Sequence, residues 1–268
     1  MTEGSELEKL LAIMAKLRGP DGCPWDREQT MATLRPFVLE EAHELVDAIR
    51  QGEIGAIREE LGDLLLEIVF VTQIAVEAGQ FTMVDVARGI REKLVRRHPH
   101  VFGSPTADNA GEALEHWEAI KAREKPERAS VLDDVPRLLP ALSRAAKLSK
   151  RAANVGFDWK SGDEIRDKIE EELDEVDEAR RSGSADAIHE EVGDLLFAVV
   201  NLARHTGTDA ELALSDANDK FSKRFRRIET TLASRGRTVE ETSMEELERL
   251  WQEAKKINAE TQGREGAK

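Results

Sequence analysis

Hydrophobic residues recur at steps of three and four positions along most of the chain. Two stretches show this spacing: Leu39, Ala42, Leu45, Val46 and Ile49, then Leu61, Leu64, Leu65, Ile68 and Val69. The period is typical of helices that bury one face. Glycines stand where such helices should end, at Gly52, Gly79 and Gly103 and then at Gly183, Gly207 and Gly236. The pattern therefore predicts an all-α fold.

The periodic stretches and their breakers place the predicted helices. In the first half we expect helices near 5–18, 34–51, 54–78 and 83–97. In the second half we expect them near 138–152, 163–181, 185–206, 209–235 and 243–261. The segment between the halves contains Pro99, Pro105, Pro126 and Pro136, which predicts a linker with one helix around 112–124.

The second half of the chain repeats the first. The string Glu59–Leu65 recurs at Glu190–Leu196 with a single difference, Leu61 against Val192. A shift of 131 positions pairs the acids, Glu41 with Glu172, Glu44 with Glu175, Glu60 with Glu191 and Asp63 with Asp194. A shift of 127 then pairs Lys93 with Lys220 and Arg97 with Arg224.

This duplication predicts two tandem helical-bundle repeats. We place the first repeat at 1–103, a linker with one short helix at 104–136, and the second repeat at 137–262. A second subunit can complete either bundle. Apolar residues cover more than one helix face at 64–71, which indicates an interface and therefore a homodimer.

The charge balance excludes some partners. The 268 residues include 39 Lys and Arg against 54 Asp and Glu, a net charge of −15. Duplex nucleic-acid binders usually carry a basic face, so we expect no such partner, and an anionic ligand would need a divalent cation as a bridge. The longest apolar run, 64–78, contains Glu67 and Glu77, so we expect no membrane span.

The location is predicted from the cysteine count and the N-terminal sequence. Cys23 is the single cysteine, which excludes a disulfide framework and a cysteine-rich zinc site, and it is expected to be packed or inert. The first residues lack the pattern of a signal peptide. We therefore expect a cytoplasmic protein.

Carboxylates at helical spacing are the main candidates for chemistry. Glu172 and Glu175 are three residues apart, as are Glu191 and Asp194, so each pair lies on one helix face. A turn at 182–184 would bring the two helices together. Carboxylates this close repel one another unless a cation lies among them, and all-oxygen ligation favours Mg²⁺ or Mn²⁺ over zinc.

A solvated acidic face is the alternative interpretation. Two features favour the metal site. The array occurs twice, and Gly62 and Gly193 lie inside helical patterns, where a glycine costs about 1 kcal/mol relative to alanine. We expect another group to approach these glycines closely.

The motif Glu-Glu-x-x-Glu followed by Glu-x-x-Asp resembles the signature of the all-α nucleoside triphosphate pyrophosphohydrolases. The strings Gly22-Cys23-Pro24-Trp25-Asp26 and Arg97-His98-Pro99-His100-Val101-Phe102-Gly103 extend the resemblance to the MazG family, from Leu7 to about Lys256. It implies a homodimeric enzyme that hydrolyses nucleoside triphosphates (NTPs) to the monophosphate and pyrophosphate with Mg²⁺. It also suggests a role in clearing non-standard NTPs.

Carried over by position, the resemblance implies metal ligands in both repeats: Glu172, Glu175, Glu191 and Asp194, with the counterparts Glu41, Glu44, Glu60 and Asp63. Glu171, and Glu40 in the first repeat, would act as a support or base. In two-repeat members the C-terminal repeat is associated with catalysis. We also expect the first repeat to lack counterparts of Trp251 and Lys255, because Pro99 ends its last long helix.

Cations of the second repeat are candidates for holding the phosphates. Lys220 and Arg224 lie four positions apart on one helix and could stabilise the outgoing pyrophosphate as catalytic groups. Trp251 and Lys255 follow at the same spacing on the last predicted helix. Ordinary surface ion pairs, with Asp219 or Glu248, are the alternative for the lysines.

Aromatic residues just before the acidic helix are candidates for binding the base. Phe157, Asp158 and Trp159 could stack on it and hydrogen-bond to it. Alternatively, Phe157 and Trp159 close the bundle. His98 and His100 flank Pro99, and we expect a structural turn there, because no other histidine or cysteine lies at ligand spacing.

The acidic helices allow two alternative functions. A carboxylate-bridged di-iron protein needs Glu-x-x-His on two helices, but Glu40 and His43 supply it once and the counterpart of His43 is Asp174. A non-enzymatic regulatory scaffold would carry vestigial acid arrays. Since each repeat retains every acid, that function is disfavoured for both repeats at once.

Overall fold

The computed structural model describes residues 3–103, 106–124 and 129–265, and every regular element in these ranges is a helix. The all-α prediction is therefore confirmed. The chain forms two compact units, Met1–Pro126 and Glu127–Lys268. The boundaries 1–103, 104–136 and 137–262 of the repeats and linker stay a prediction.

The first unit contains seven helices within the described ranges: α1 (Glu3–Leu17), α2 (Pro24–Glu28), α3 (Arg35–Gln51), α4 (Ile54–Glu77), α5 (Met83–Arg97), α6 (Pro99–Phe102) and α7 (Ala110–Arg123). Helices α3 and α4 pack as a hairpin, and α1 packs against α4. The turn of the hairpin is tight because Gly52 adopts the left-handed conformation, with φ of 76°. Thr82 and Asp85 form a capping box that starts α5.

The second unit contains five helices within the described ranges: α8 (Ala141–Ala153), α9 (Gly162–Ser182), α10 (Ala185–His205), α11 (Ala210–Ala233) and α12 (Met244–Glu265). Helices α9 and α10 form a hairpin that matches α3 and α4, with Gly183 at φ 74° in its turn. Side chains of Ser161, Ser184 and Asp209 cap the starts of α9, α10 and α11.

Each unit has an apolar core at the helix contacts. In the first unit Met14, Leu34, Val69 and Phe70 form a buried cluster where α1 meets α4. In the second unit Ile228, Leu232 and Leu250 pack α11 against α12. Burial of these side chains is the main favourable free energy that holds α1 against α4 and α11 against α12.

The predicted long helices agree with the structure to within four residues at each end. Sequence periodicity missed α2 and α6, because helices of five and four residues are too short to show a period. Both begin with a proline at the first turn, Pro24 and Pro99, a position that proline favours.

The described residues of this chain do not supply the close neighbour expected at the helical glycines, so approach by another group stays a prediction. A Cβ built on Gly62 or Gly193 would meet no heavy atom within 4 Å among the described residues, leaving aside the adjacent backbone of its own helix. Both positions lie on exposed faces of α4 and α10. A search of the described helices for a segment long and apolar enough to cross a membrane finds none.

Candidate metal and nucleotide site

Three carboxylates of the second repeat converge on one point. Glu172 and Glu175 on α9 and Glu191 on α10 each offer an oxygen within 4.8 Å of the other two. Spacing of three residues places the first two on one face of α9, and the Gly183 turn brings α10 alongside. We call these three residues the second acid trio.

The environment of the second acid trio fits a hard cation. Glu172 is 4% exposed, and its Oε2 atom is buried with no hydrogen-bond partner among the described residues. Partial burial raises the pKa of the Glu175 carboxyl, and the negative charge of Glu172 raises it further. A divalent cation would relieve both the missing contact and the repulsion.

Sequence reasoning missed Lys168. Its Nζ atom lies 2.8 Å from Glu172 Oε1 and 2.9 Å from Glu171 Oε1, because positions three and four apart share a helix face. These carboxylates raise the pKa of the Lys168 ammonium above its ordinary value. The counterpart of Lys168 in the first repeat is Phe37, so the self-comparison gave no signal for it.

Two other predicted residues of this site lie at its edge. Glu171 is exposed and pairs with Lys168, next to Glu172 on α9. Asp194 lies three residues after Glu191 on α10 and is exposed, outside the trio. The structure therefore brings together three of the four implied ligands, and the ligand role of Asp194 stays a prediction.

The first repeat also holds a group of three acids, Glu41, Glu60 and Asp63, with oxygens within 4.8 Å of one another, in which Asp63 takes the place of the counterpart of Glu175. We call it the first acid trio. Burial raises the pKa of the Glu41 and Glu60 carboxyls, and in both cases the charge of Glu44 raises it further. Glu44 is thus close to the trio although it is outside it.

Glu67 is a further acid that sequence reasoning did not select. It lies one turn after Asp63 on α4, is buried, and its Oε2 atom has no hydrogen-bond partner among the described residues. Burial and then the charge of Glu41 raise the pKa of its carboxyl. The counterpart is Ala198, so the two sites differ here.

Neither trio includes a histidine among the described residues. His43 is exposed on α3. The di-iron alternative, which requires a Glu-x-x-His pair on each of two helices, therefore has no support from the geometry.

The predicted cations of the second repeat lie on α11 and α12. Arg224 places its Cζ atom 5.6 Å from the ring centre of Trp251, which also contacts Phe221 at 5.2 Å between ring centres. Lys220 and Lys255 are exposed. Among the described residues, no ion pair joins Lys220 or Arg224 to the second acid trio.

The first repeat does contain counterparts of Trp251 and Lys255, so the expectation that it lacks them is wrong. Trp117 and Lys121 occur on α7 at the same spacing of four, and Arg97 lies 5.1 Å from the Trp117 ring centre. Sequence reasoning assigned α7 to a linker, because α6 and the following loop interrupt the chain after α5. In the structure α7 packs against α5.

The loop before α9 is tied down by Asp158. Its carboxylate accepts hydrogen bonds from Arg204 and the His205 ring at the end of α10, and from the backbone of Trp159. The Arg204 guanidinium lowers the pKa of this carboxyl to about 2. Phe157 is 79% exposed, so it does not close the bundle within this chain, whereas Trp159 is half-buried.

The remaining candidates have structural positions. His98 joins α5 to α6 and its Nδ1 atom lies 2.7 Å from the Leu94 carbonyl oxygen, in keeping with a turn. The rings of His98 and His100 lie 5.6 Å apart, and those of His100 and His116 lie 6.4 Å apart. Cys23 is half-buried before α2, and its N–H donates to the Leu17 carbonyl.

Comparison with known proteins identifies the arrangement. The family model for the MazG nucleotide pyrophosphohydrolase domain matches residues 29–102 and 160–229, which contain the two acid trios. A nucleoside triphosphate pyrophosphohydrolase of Escherichia coli K12 is 49% identical over 257 residues, 94% of this chain and 98% of the relative.

Proteins from Thermotoga maritima are also similar. A nucleoside triphosphate pyrophosphohydrolase/pyrophosphatase MazG is 46% identical over 253 residues, 94% of this chain and 96% of the relative. The crystal structure of a mazG-related protein matches 43% of this chain and 98% of its own, with 26% identity and a TM-score of 0.37. Because the family model covers more than half of the chain and full-length relatives match it, the chain belongs to the MazG nucleotide pyrophosphohydrolase family and is an enzyme.

Proposed function

We propose that the second repeat hydrolyses nucleoside triphosphates to the monophosphate and pyrophosphate with a divalent cation. The ligands would be Glu172, Glu175, Glu191 and Asp194. One observation carries this proposal: a buried Glu172 oxygen without a partner lies in a group of three converging carboxylates. The first repeat would hold a cation through Glu41, Glu44, Glu60 and Asp63, with Glu40 beside them.

The cation is proposed to be Mg²⁺, and Mn²⁺ would also fit. Carboxylate oxygens are the ligands that both ions prefer, and the described site offers neither thiolate nor imidazole. When bound, the cation would neutralise phosphate oxygens and lower the pKa of a bound water.

Two side chains beside the second acid trio, Glu171 and Lys168, would assist the reaction. Glu171 is exposed beside the trio, so its carboxylate can accept a proton from the attacking water. Lys168 holds Glu171 and Glu172 on one side of α9 through its two ion pairs. This support limits the number of conformations that Glu172 can adopt.

Lys220, Arg224 and Lys255 are proposed to bind the phosphates that leave as pyrophosphate. The Nε atom of Arg224 is buried with no hydrogen-bond acceptor among the described residues, and the ring of Trp251 lies against its guanidinium. A guanidinium without an anionic partner is available to a phosphate, which it can bind through two N–H groups.

The base is proposed to bind near Phe157, Asp158 and Trp159. The exposed Phe157 ring can stack on any base, because every base has a π face. Asp158 already bonds to Arg204 and His205, so its contribution would be to position the loop. Tolerant stacking supports a role in clearing non-standard NTPs.

The product analysis tests this reaction. We expect Mg²⁺-dependent release of monophosphate and pyrophosphate from a panel of standard and modified NTPs. Release of diphosphate and orthophosphate, or full activity in excess chelator, would show that the reaction is different. Failure to hydrolyse the modified NTPs of the panel would contradict the role in clearing non-standard NTPs.

The enzyme is proposed to act as a homodimer in the cytoplasm, where NTPs are formed, without a duplex nucleic-acid or membrane partner. Large apolar side chains are exposed on the helices that carry the trios: Leu61, Leu65, Ile68, Leu196, Phe197 and Val199. Gly62 and Gly193 lie open on the same helices. A second copy would cover these faces.

A further inference from the structure

The two repeats place an arginine against a tryptophan in the same way. Arg97 on α5 lies 5.1 Å from the ring centre of Trp117 on α7, and Arg224 on α11 lies 5.6 Å from that of Trp251 on α12. A lysine follows each tryptophan by four residues. The first repeat therefore contains an arginine, a tryptophan and a lysine that match Arg224, Trp251 and Lys255. The proposed function assigns phosphate binding to Arg224 and Lys255.

The two arginines differ in their partners. Arg97 donates from Nε to Glu124 Oε2 at 3.1 Å and from Nη2 to the same oxygen at 2.5 Å. Arg96 donates from Nε to Glu124 Oε1 at 2.7 Å. The side chains of Arg97 and Glu124 are 16% and 18% exposed, so solvent screens this contact only weakly.

Arg224 has no such partner among the described residues. It forms no ion pair there, and its buried Nε atom finds no acceptor. The sequence shows a matching difference. Glu124 follows Trp117 by seven residues, whereas the residue seven positions after Trp251 is the uncharged Asn258.

The Glu124 carboxylate is held by the same kind of contacts that would hold an anionic ligand. Two guanidinium groups converge on its two oxygens, and such charge-assisted bonds are about twice as strong as neutral ones. Arg97 lowers the pKa of this carboxyl to about 2, so it is ionised at neutral pH. A guanidinium presents the same pair of N–H groups to a carboxylate and to a phosphate.

We propose that Glu124 takes the place of a nucleotide phosphate in the first repeat and closes Arg96 and Arg97 to phosphate ligands. The inference rests on the proposed function, because that function assigns phosphate binding to Arg224. The first acid trio keeps its carboxylates, so this repeat would bind a cation without retaining a triphosphate. Removing the charge of Glu124 would open a second phosphate site.

Calorimetric titration of the full chain with magnesium pyrophosphate tests the inference. We expect one pyrophosphate per wild-type chain and two per chain of E124Q. The double variant R97A/E124Q should return to one, because it removes the guanidinium that E124Q opens. The matched control is E92Q, which removes one charge from the exposed Arg91–Glu92 pair on α5 and should leave one site.

The outcomes separate this inference from the proposed function. If R224A loses the wild-type site and E124Q still binds one pyrophosphate per chain, the role of Glu124 is overturned and the proposed function is not. A wild-type chain that binds no pyrophosphate and releases none from NTPs would overturn the proposed function. The variant E124A serves as a second test: even if α7 loosens, Arg96 and Arg97 lose the same carboxylate, so two sites are still expected.

Discussion

Replacing Glu172 by alanine should reduce kcat by at least 100-fold. Glu172 is the most buried member of the second acid trio, and the substitution removes both the free Oε2 atom and the Oε1 atom that pairs with Lys168 at 2.8 Å. Loss of a residue that only supports a metal ligand typically costs about 10- to 100-fold, so loss of a ligand should cost at least the upper value. A 100-fold loss corresponds to about 2.7 kcal/mol of transition-state stabilisation.

Lys168 strengthens this expectation. Without Glu172, its ammonium keeps its charge and remains beside Glu171, close to the remaining acids Glu175 and Glu191. A positive charge at this distance opposes the binding of Mg²⁺ by the remaining carboxylates. Raising the Mg²⁺ concentration should therefore recover only part of the lost rate.

The matched variant is Glu41→Ala in the first repeat, which should retain most of the activity. Its trio also brings three carboxylates together, with Asp63 in place of the counterpart of Glu175, but Glu124 occupies Arg97 of the same repeat. The assay is pyrophosphate release at saturating NTP and Mg²⁺, with circular dichroism to confirm that each variant keeps its helices. Equal losses in the two variants, or a greater loss in Glu41→Ala, would refute the assignment of the working repeat.

Three further predictions concern stability and assembly. Asp158→Asn should lower the free energy of unfolding by about 1–2 kcal/mol at pH 7. The folded pKa of Asp158 is lowered to about 2, so its contribution to stability is present above the unfolded pKa of about 3.9 and disappears as the pH falls. Urea unfolding should therefore show a smaller difference in stability between wild type and variant at pH 3. The side chain of Arg18 is 7% exposed and donates to Glu77 and to the Asp26 and Gln29 carbonyls. Its replacement by alanine should cost about 2 kcal/mol in the same assay, since Glu77 is 38% exposed and stays hydrated; a loss below about 1 kcal/mol would contradict the structural role of this contact. Light scattering at micromolar concentration should give a mass of about 60 kDa, twice the 29.9 kDa of one chain. A mass equal to that of one chain would count against the homodimer.

Much of the fold was predictable because it depends on local periodicity. Amphipathic spacing located the long helices, and the repeated acids at i and i+3 identified the members of both trios. Helices α2 and α6 were missed because they are shorter than two turns. No described residue outside the neighbouring helix backbone approaches Gly62 or Gly193, and a single sequence does not show which group faces a helix.

The parts of the site that depend on tertiary contacts were harder to predict. Trp117 and Lys121 match Trp251 and Lys255, but α6 and the following loop change the spacing from α5, so a fixed shift does not align them. The pairing of Glu124 with Arg97 joins residues 27 positions apart, and no periodicity indicates it. Lys168 was missed because its counterpart is the apolar Phe37.

The hairpin turns at Gly52 and Gly183 also affect the order of folding. Each acid trio is formed within one helical hairpin, with Glu172 and Glu191 only 19 positions apart along the chain. Closing so short a loop loses little entropy, and contacts that are local in sequence form early. The cation site of each repeat can therefore assemble as soon as its own hairpin has emerged from the ribosome, before α5 or α11 has emerged in turn.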